Sequence, residues 1–475
     1  MSETLKLYIN GRWVGDKSNE KIAVIDPATE EILYDVYCAT AENLDEAVTS
    51  AEKAFETWRL SSAEQRSQIL DRAADTIVAR QQAIAATLTK EQGKPFAEAM
   101  GELGATIQSF RWAAQAALKS APIDYPDGPD HYAQQTDPEP VGVIAGFAPW
   151  NFPAMLTGRK IAYAVAAGCC IIIKPAEETP ATGIALAQAL HDADLPAGVL
   201  NMVFGKPAQI SEHLINAKAV RKVSLTGSSA VGKALASLAA NTLTPCVLEL
   251  GGHAPVLVFD DVDVEETAKM LAGFKYRNAG QVCVSPSRFF IHENIADEFT
   301  DKFLKYTKSL NIGDGTNPAT DVGPLAHDRR IADVEKLVHD AVDKGATCLT
   351  GGHRINRTGY FYAPTVLKDV PDNAEILKTE IFGPVAVINS FTDVEEAVVR
   401  ANDVPYGLAS YLFTQNQETI DYVKPLLEVG LVNINIATPI SENVPFGGVK
   451  ESGYGYEGGM IGLQSFQHFK LIHKG

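Results

Sequence analysis

The sequence predicts an α/β protein: a doubly wound, mostly parallel sheet with a second α/β unit after it. Three observations carry that expectation. Between residues 141 and 249 short apolar runs alternate with helical ones in βαβα order, and parallel strands joined by crossover helices are the economical solution to that order. A second alternation opens at Ala254-Pro-Val-Leu-Val-Phe-Asp and runs to about residue 445. At 475 residues the chain also exceeds what one core usually holds.

In chain order, residues 1–40 read as short strands and turns, with a hairpin at Tyr8-Ile-Asn-Gly-Arg-Trp13. From about 41 to 119 the period is helical: Ala47, Ala51, Ala54, Phe55 and Trp58 share a face, and Ile69, Ala73, Ile77 and Ala83 continue it. A break rich in proline, aspartate and glycine follows at 121–130. Strands are then expected at Val141–Ala145, Cys170–Lys174, Val199–Phe204, Lys222–Thr226 and Pro245–Glu249. Helices are expected between them, at Ala154–Ala167, Pro180–His191, Ala208–Ile215 and Ala230–Ala240, and a closing strand at Phe466–Ile472.

Composition narrows the function classes. A net charge of −18 disfavours nonspecific binding to nucleic acid or anionic membranes, so a negative substrate would need a local cationic site. The longest apolar run, Ile161–Ile173, is too short for a bilayer, which takes about 20 residues. The N-terminus lacks a signal-peptide layout. Six cysteines without CxxC spacing, and ten histidines without ligand spacing, suggest neither disulfides nor a metal. A cytoplasmic setting fits these features.

The chemistry concentrates at strand ends, where doubly wound sheets bind ligands. Trp150-Asn151, Lys174-Pro-Ala-Glu177, Thr226-Gly227-Ser228 and Glu249-Leu-Gly-Gly252 all fall there. The fifth feature is Arg277-Asn-Ala-Gly-Gln-Val-Cys283-Val-Ser285, one thiol in a polar, glycine-containing segment. A free thiol has a pKa of about 8.5 and attacks well only as thiolate. With a carboxylate base and an amide donor it suits acyl chemistry. Structural burial is the competing reading of any such cysteine, and Cys169-Cys170 is most simply core. Two other motifs mislead. Gly227–Lys233 copies most of a phosphate-binding GxxxxGK[ST] loop, but Ala234 lacks the magnesium-binding hydroxyl. Gly453-Tyr-Gly-Tyr-Glu-Gly458 is a formal GxGxxG with too little chain after it for a βαβ unit.

Taken together, Pro149-Trp-Asn-Phe-Pro153, Lys174-Pro-Ala-Glu177, Leu225-Thr-Gly-Ser228, Leu248-Glu-Leu-Gly-Gly252, Asn278–Cys283, Glu380-Ile-Phe-Gly-Pro384 and Pro445-Phe-Gly-Gly448 resemble the aldehyde dehydrogenase superfamily from near residue 8 to near 470. The resemblance implies its fold, with a dinucleotide-binding domain (1–120 and 140–251), a catalytic domain (252–445) and a small β oligomerisation region (121–139 and 446–475). It implies Cys283 as nucleophile, Asn151 with the Cys283 N–H as oxyanion donors, and Glu249 as the base that hydrolyses the thioester. The coenzyme-A-acylating branch generally lacks that glutamate, so a free acid is the expected product. Lys174 and Glu177 would hold the adenosine ribose, Ser228 the diphosphate, and Glu380 the nicotinamide ribose with Phe382 beside it; Trp150 and Gly227 would also bind the cofactor. Glu177 can accept from ribose hydroxyls and would repel a 2′-phosphate, which favours NAD, with NADP also possible.

For the substrate, the succinate-semialdehyde branch matches at Arg159, Arg277 and Ser441, which there hold the far carboxylate. The sequence from Pro445 to Gly459 also resembles 2-oxoglutarate-semialdehyde dehydrogenases. A sulfonated aldehyde is a further anionic alternative, and a catalytically silent binding protein is the non-enzyme one. Ser285 stands where some relatives carry a second, switch-forming cysteine, so no such switch is expected. The resemblance also implies a homodimer or homotetramer.

Overall fold

The computed structural model describes residues 4–15, 20–128 and 132–474; the chain start, part of the 1–40 segment and part of the 121–139 excursion lie outside the described residues. Three long helices, Ala41–Trp58, Ala63–Gln92 and Phe96–Lys119, fill the region of helical period. Each of the first two starts at a hydroxyl cap, Thr40 and Ser62, that accepts a first-turn N–H.

These helices flank an eight-stranded sheet in the order Gly453–Tyr454, Cys246–Glu249, Val220–Thr226, Val143–Phe147, Cys170–Lys174, Leu200–Met202, Leu7–Ile9, Arg12–Val14. The five strands from Cys246–Glu249 to Leu200–Met202 are mutually parallel. They are buried on both faces, as continuous runs such as Cys-Ile-Ile-Ile-Lys require. The hairpin at Tyr8–Trp13 is present and adds the antiparallel edge. The strand expected from Val141 begins at Val143, because Gly142 sits at φ +138°.

A second sheet runs Thr347–Thr350, Thr365–Lys368, Val385–Phe391, Pro286–His292, Ala254–Val258, Ala409–Phe413, Leu431–Ile434, and is parallel except for its first strand. A three-stranded antiparallel sheet joins Gln467–Lys474, Ala133–Pro140 and Ile123–Tyr125.

The C-terminal segment differs from expectation. Rather than belonging wholly to the small β region, it is shared among three sheets. Val449–Lys450 pairs with Tyr406–Gly407, Gly453–Tyr454 closes the edge of the first sheet against Leu248–Glu249, and only Gln467–Lys474 runs along the small sheet. No described helix is long and apolar enough to cross a membrane.

Candidate active site

The cysteine loop is built under strain. The helix Val264–Tyr276 ends at Arg277, and Asn278 and Ala279 then take left-handed φ of 49° and 53°. Such angles are uncommon without glycine and cluster at functional sites. At Gly280 a Cβ would lie 2.1 Å from the Gly383 carbonyl, so the loop is pressed onto the Glu380–Pro384 segment. From the other side Gly252 packs against the carbonyl of Cys283, 2.4 Å from where a Cβ would stand. Beyond the cysteine, the Lys275 ammonium donates to the Ser285 and Ser287 hydroxyls at 3.1 and 3.3 Å, and burial pulls that lysine down to about 7. Cys283 is half-buried, and desolvation, with Glu380 and Glu249 adding negative charge, pushes its thiol up to about 12.

Asn151 and Glu249 arrive at this loop from the first sheet. The Asn151 amide donates to the Gln281 carbonyl at 3.1 Å, which leaves its second N–H for a ligand. Glu249 ends the strand Cys246–Glu249, and both its carboxylate oxygens are buried without a hydrogen-bond partner. Burial, reinforced by Glu457, raises its pKa well above the ordinary range, while Lys160 and Arg159 oppose the rise. Lys160 itself is ion-paired to Glu457 in the interior and lies 3.2 Å from the Ser224 hydroxyl.

Asn151, Cys283, Trp150, Gly227, Ser228, Glu380 and Phe382 line one cavity of about 610 Å³. Ser228, in the cavity wall, caps the helix Ser229–Ala240 by accepting from the Val231 N–H, and a helix N-terminus of this kind favours an anion. Glu380 accepts from the Gly252 N–H at 2.9 Å, and burial lifts its carboxyl to about 7. Phe382, at φ +47°, meets Trp150 edge to face at 5.4 Å. Lys174 and Glu177 are ion-paired at 2.5 Å, and Glu177 borders a neighbouring cavity of about 190 Å³. His327 and Arg329 line both cavities. A helix N-terminus and Glu380 in one cavity, with Glu177 in the neighbouring one, supply an anion site and two carboxylates able to accept from ribose hydroxyls, a set that fits a dinucleotide cofactor. The near-match to a triphosphate loop does not extend to its lysine: Lys233 is largely exposed and paired with Glu451 at 2.7 Å.

Sequence reasoning missed the cavity wall that includes His327, Arg329 and Arg330. His327 packs on Trp150 at 5.2 Å, and burial pulls it down to about 4. Arg329 pairs with Glu178 at 3.0 Å, and Arg330 donates to the Ile381 carbonyl at 2.8 Å beside Phe382. They open the helix Asp328–Asp343, and the pair of adjacent arginines there was the only available signal.

The three residues expected at the substrate's far end separate. Arg277 lies over the rings of Phe152 and Phe274, at 5.1 and 5.9 Å, and has no ion pair or side-chain hydrogen bond among the described residues. Arg159 corrects the expectation of a second free cation. Its guanidinium is buried and gripped by both oxygens of Glu442, with Nε–Oε2 at 3.1 Å, so an incoming carboxylate would have to compete with an internal one. Ser441 is exposed, its hydroxyl donating to the side-chain carbonyl of Asn443 in the same loop at 2.5 Å.

The aldehyde dehydrogenase family profile matches residues 13–472. The chain is 40% identical over 468 residues to a 4-(hydroxymethyl)benzenesulfonate dehydrogenase of Comamonas testosteroni, covering 98% of each. It is 37% identical over 468 residues to an NADP(+) succinate-semialdehyde dehydrogenase of Escherichia coli K12, covering 98% of this chain and 96% of that protein. The crystal structure of a succinate-semialdehyde dehydrogenase from Burkholderia pseudomallei superposes with a TM-score of 0.97 at 39% identity, covering 99% of this chain and 97% of that one.

Proposed function

The chain belongs to the aldehyde dehydrogenase family, and on that premise we propose that it oxidises a short aldehyde with an anionic end, succinate semialdehyde first among them, to the free acid. It is an NAD(P)-dependent aldehyde dehydrogenase of the hydrolytic kind. The observation that carries the substrate reading is Arg277, a half-buried cation beside the nucleophile loop with no ion-pair partner among the described residues. Guanidinium–carboxylate pairing is strongest where it is partly desolvated. The relatives' names support an anionic substrate more broadly, a sulfonate among them, so 2-oxoglutarate semialdehyde and sulfonated aldehydes are the alternatives within the class.

In this reading the Cys283 thiolate adds to the aldehyde carbon. The oxyanion that forms is met by the Asn151 amide and the Cys283 N–H. A dinucleotide in the cavity would supply the acceptor for the hydride that leaves the thiohemiacetal carbon as the thioester forms. Glu249, buried and unpartnered, then takes a proton from water, which adds to the thioester carbonyl; the acid leaves and the thiol is regenerated. Lys174 and Glu177 would hold the adenosine ribose, Ser228 the diphosphate with Gly227 and Trp150 also against the cofactor, and Glu380 with Phe382 beside it the nicotinamide ribose. Glu177 supports NAD over NADP. The enzyme acts as a cytoplasmic homodimer or homotetramer.

The test is kcat/KM across four-carbon, five-carbon and uncharged aldehydes with both cofactors. Arg277→Ala is expected to raise KM for succinate semialdehyde about 10- to 100-fold, as loss of a charge-assisted pair does, and to spare an uncharged aldehyde of similar length. Equal effects on the two would remove the carboxylate reading. Cys283→Ala is expected to abolish aldehyde-dependent NADH formation.

A further inference from the structure

The turn that carries Asn151 is gripped from behind by a charged cluster that the reaction scheme does not use. Lys94 follows the helix Ala63–Gln92 and is sealed in the interior with Glu102, both side chains at 0% exposure and 2.5 Å apart. Its ammonium donates to the backbone carbonyl of Asn151 at 2.8 Å and sits 4.1 Å from the centre of the Phe152 ring. The same carbonyl accepts a second bond from the Asn278 side-chain amide at 2.9 Å. The other oxygen of Glu102 accepts from the N–H groups of Ala154 and Met155, at 2.8 and 3.2 Å, in the first turn of the helix Pro153–Ala167. Asn278, one of the strained residues before Cys283, donates its own N–H to Glu98 at 2.8 Å.

One buried cluster thus fixes both walls of the reaction centre relative to each other. For stability alone an apolar pair of similar volume would often serve as well as a buried ion pair. An apolar pair could not supply a directed donor to the Asn151 carbonyl, nor an acceptor to the helix that begins just after it. A displacement of about 1 Å at a reacting group is enough to cost on the order of 100-fold in rate.

We propose that Lys94, held by Glu102, is the positioning residue of the oxyanion site: it orients the Asn151 turn so that the free side-chain N–H points at the developing oxyanion. Lys94 is not among the residues that line the cofactor cavity; its ammonium bonds Glu102 and the Asn151 carbonyl, and it shares that carbonyl with Asn278. The inference rests on reading Asn151 as an oxyanion donor.

The experiment uses full-length Lys94→Met and Glu102→Gln, with Asn151→Ala beside them. Single-turnover NADH formation is measured with saturating NAD and normalised to the alkylatable Cys283 content of each preparation. Lys94→Met is expected to slow hydride transfer about 10- to 100-fold per active site, the scale of a displaced reacting group and less than the roughly 100- to 1000-fold of losing an oxyanion donor outright. KM for NAD should stay within about twofold, since binding of the cofactor does not use this cluster. The isotope effect with a 1-deuterated aldehyde should rise as hydride transfer becomes rate-limiting. Glu102→Gln keeps an acceptor for the helix N-terminus and should show a smaller loss in the same direction. It decides the matter if Lys94→Met does not fold. A purely structural role would lower the active fraction and the melting temperature while leaving the per-site rate and isotope effect at wild type, and that result overturns the proposal. If Asn151→Ala retains the wild-type rate, the oxyanion reading itself fails. If Asn151→Ala is slow while the foldable Lys94 and Glu102 variants are not, this inference alone is lost.

Discussion

Cys283 must be a thiolate to attack, yet burial and the carboxylates of Glu380 and Glu249 hold its proton on, at a pKa of about 12. An acid with a raised pKa ionises only as pH rises, so the reactive fraction grows about tenfold per pH unit below that value. Alkylation of Cys283 in the cofactor-free protein should therefore accelerate from about pH 6 to about pH 9 with a logarithmic slope near one. Mass-spectrometric rates of iodoacetamide labelling check this, and a flat profile would contradict it. The residues with local signatures were legible from sequence: the cavity brings together Asn151, Cys283, Ser228, Glu380 and Phe382, each of which lies in a compact motif. The partner of Arg159 was not, because Glu442 lies 283 positions away and a pairing across that distance leaves no pattern in either segment. His327 and Arg330 were missed for a related reason, since a helix N-terminus reads as capping before it reads as a wall of a cavity.

Strands and helices of the first sheet were readable because buried parallel strands are continuous apolar runs and their helices alternate with them. The two-residue strands Val449–Lys450 and Gly453–Tyr454 were not, being too short to show alternation, and their glycines suggested only a loop. Between the sheets, the turn after Glu249 sets how closely the two units approach. Gly252→Ala would drive a methyl into the Cys283 carbonyl, at 2.4 Å, with no flexible side chain to give way. Overpacking of this kind costs roughly 1–3 kcal/mol. The variant should melt lower and lose kcat together, measured by calorimetry and steady-state rates; an unchanged kcat would mean that the approach of these two turns does not govern the nucleophile's position.

If the chain self-associates as proposed above, the small sheet is the surface expected to carry the contact. Ile123 and Tyr125 on one strand, and Phe469 and Leu471 on another, are 43 to 57% exposed, and the strand Gln467–Lys474 lies at the sheet's edge with unpaired backbone groups along one side. An edge of that kind is stable only when covered or paired. Ending the chain after Phe466 should shift sedimentation velocity from the oligomer to the monomer, and an unchanged sedimentation coefficient would place the interface elsewhere.

The strand Gly453–Tyr454 lies beside Leu248–Glu249, a neighbour that leaves the ribosome far earlier. At typical elongation rates the roughly two hundred residues between them take on the order of 10–40 s to synthesise. Through that interval the nascent amino-terminal half carries an uncovered parallel edge that ends at Glu249, while its missing neighbour is still unmade. The order of translation thus makes completion of the strand pairing at Glu249 one of the last events in biogenesis, and an unfinished chain is left with that edge of the sheet open beside the residue proposed as base.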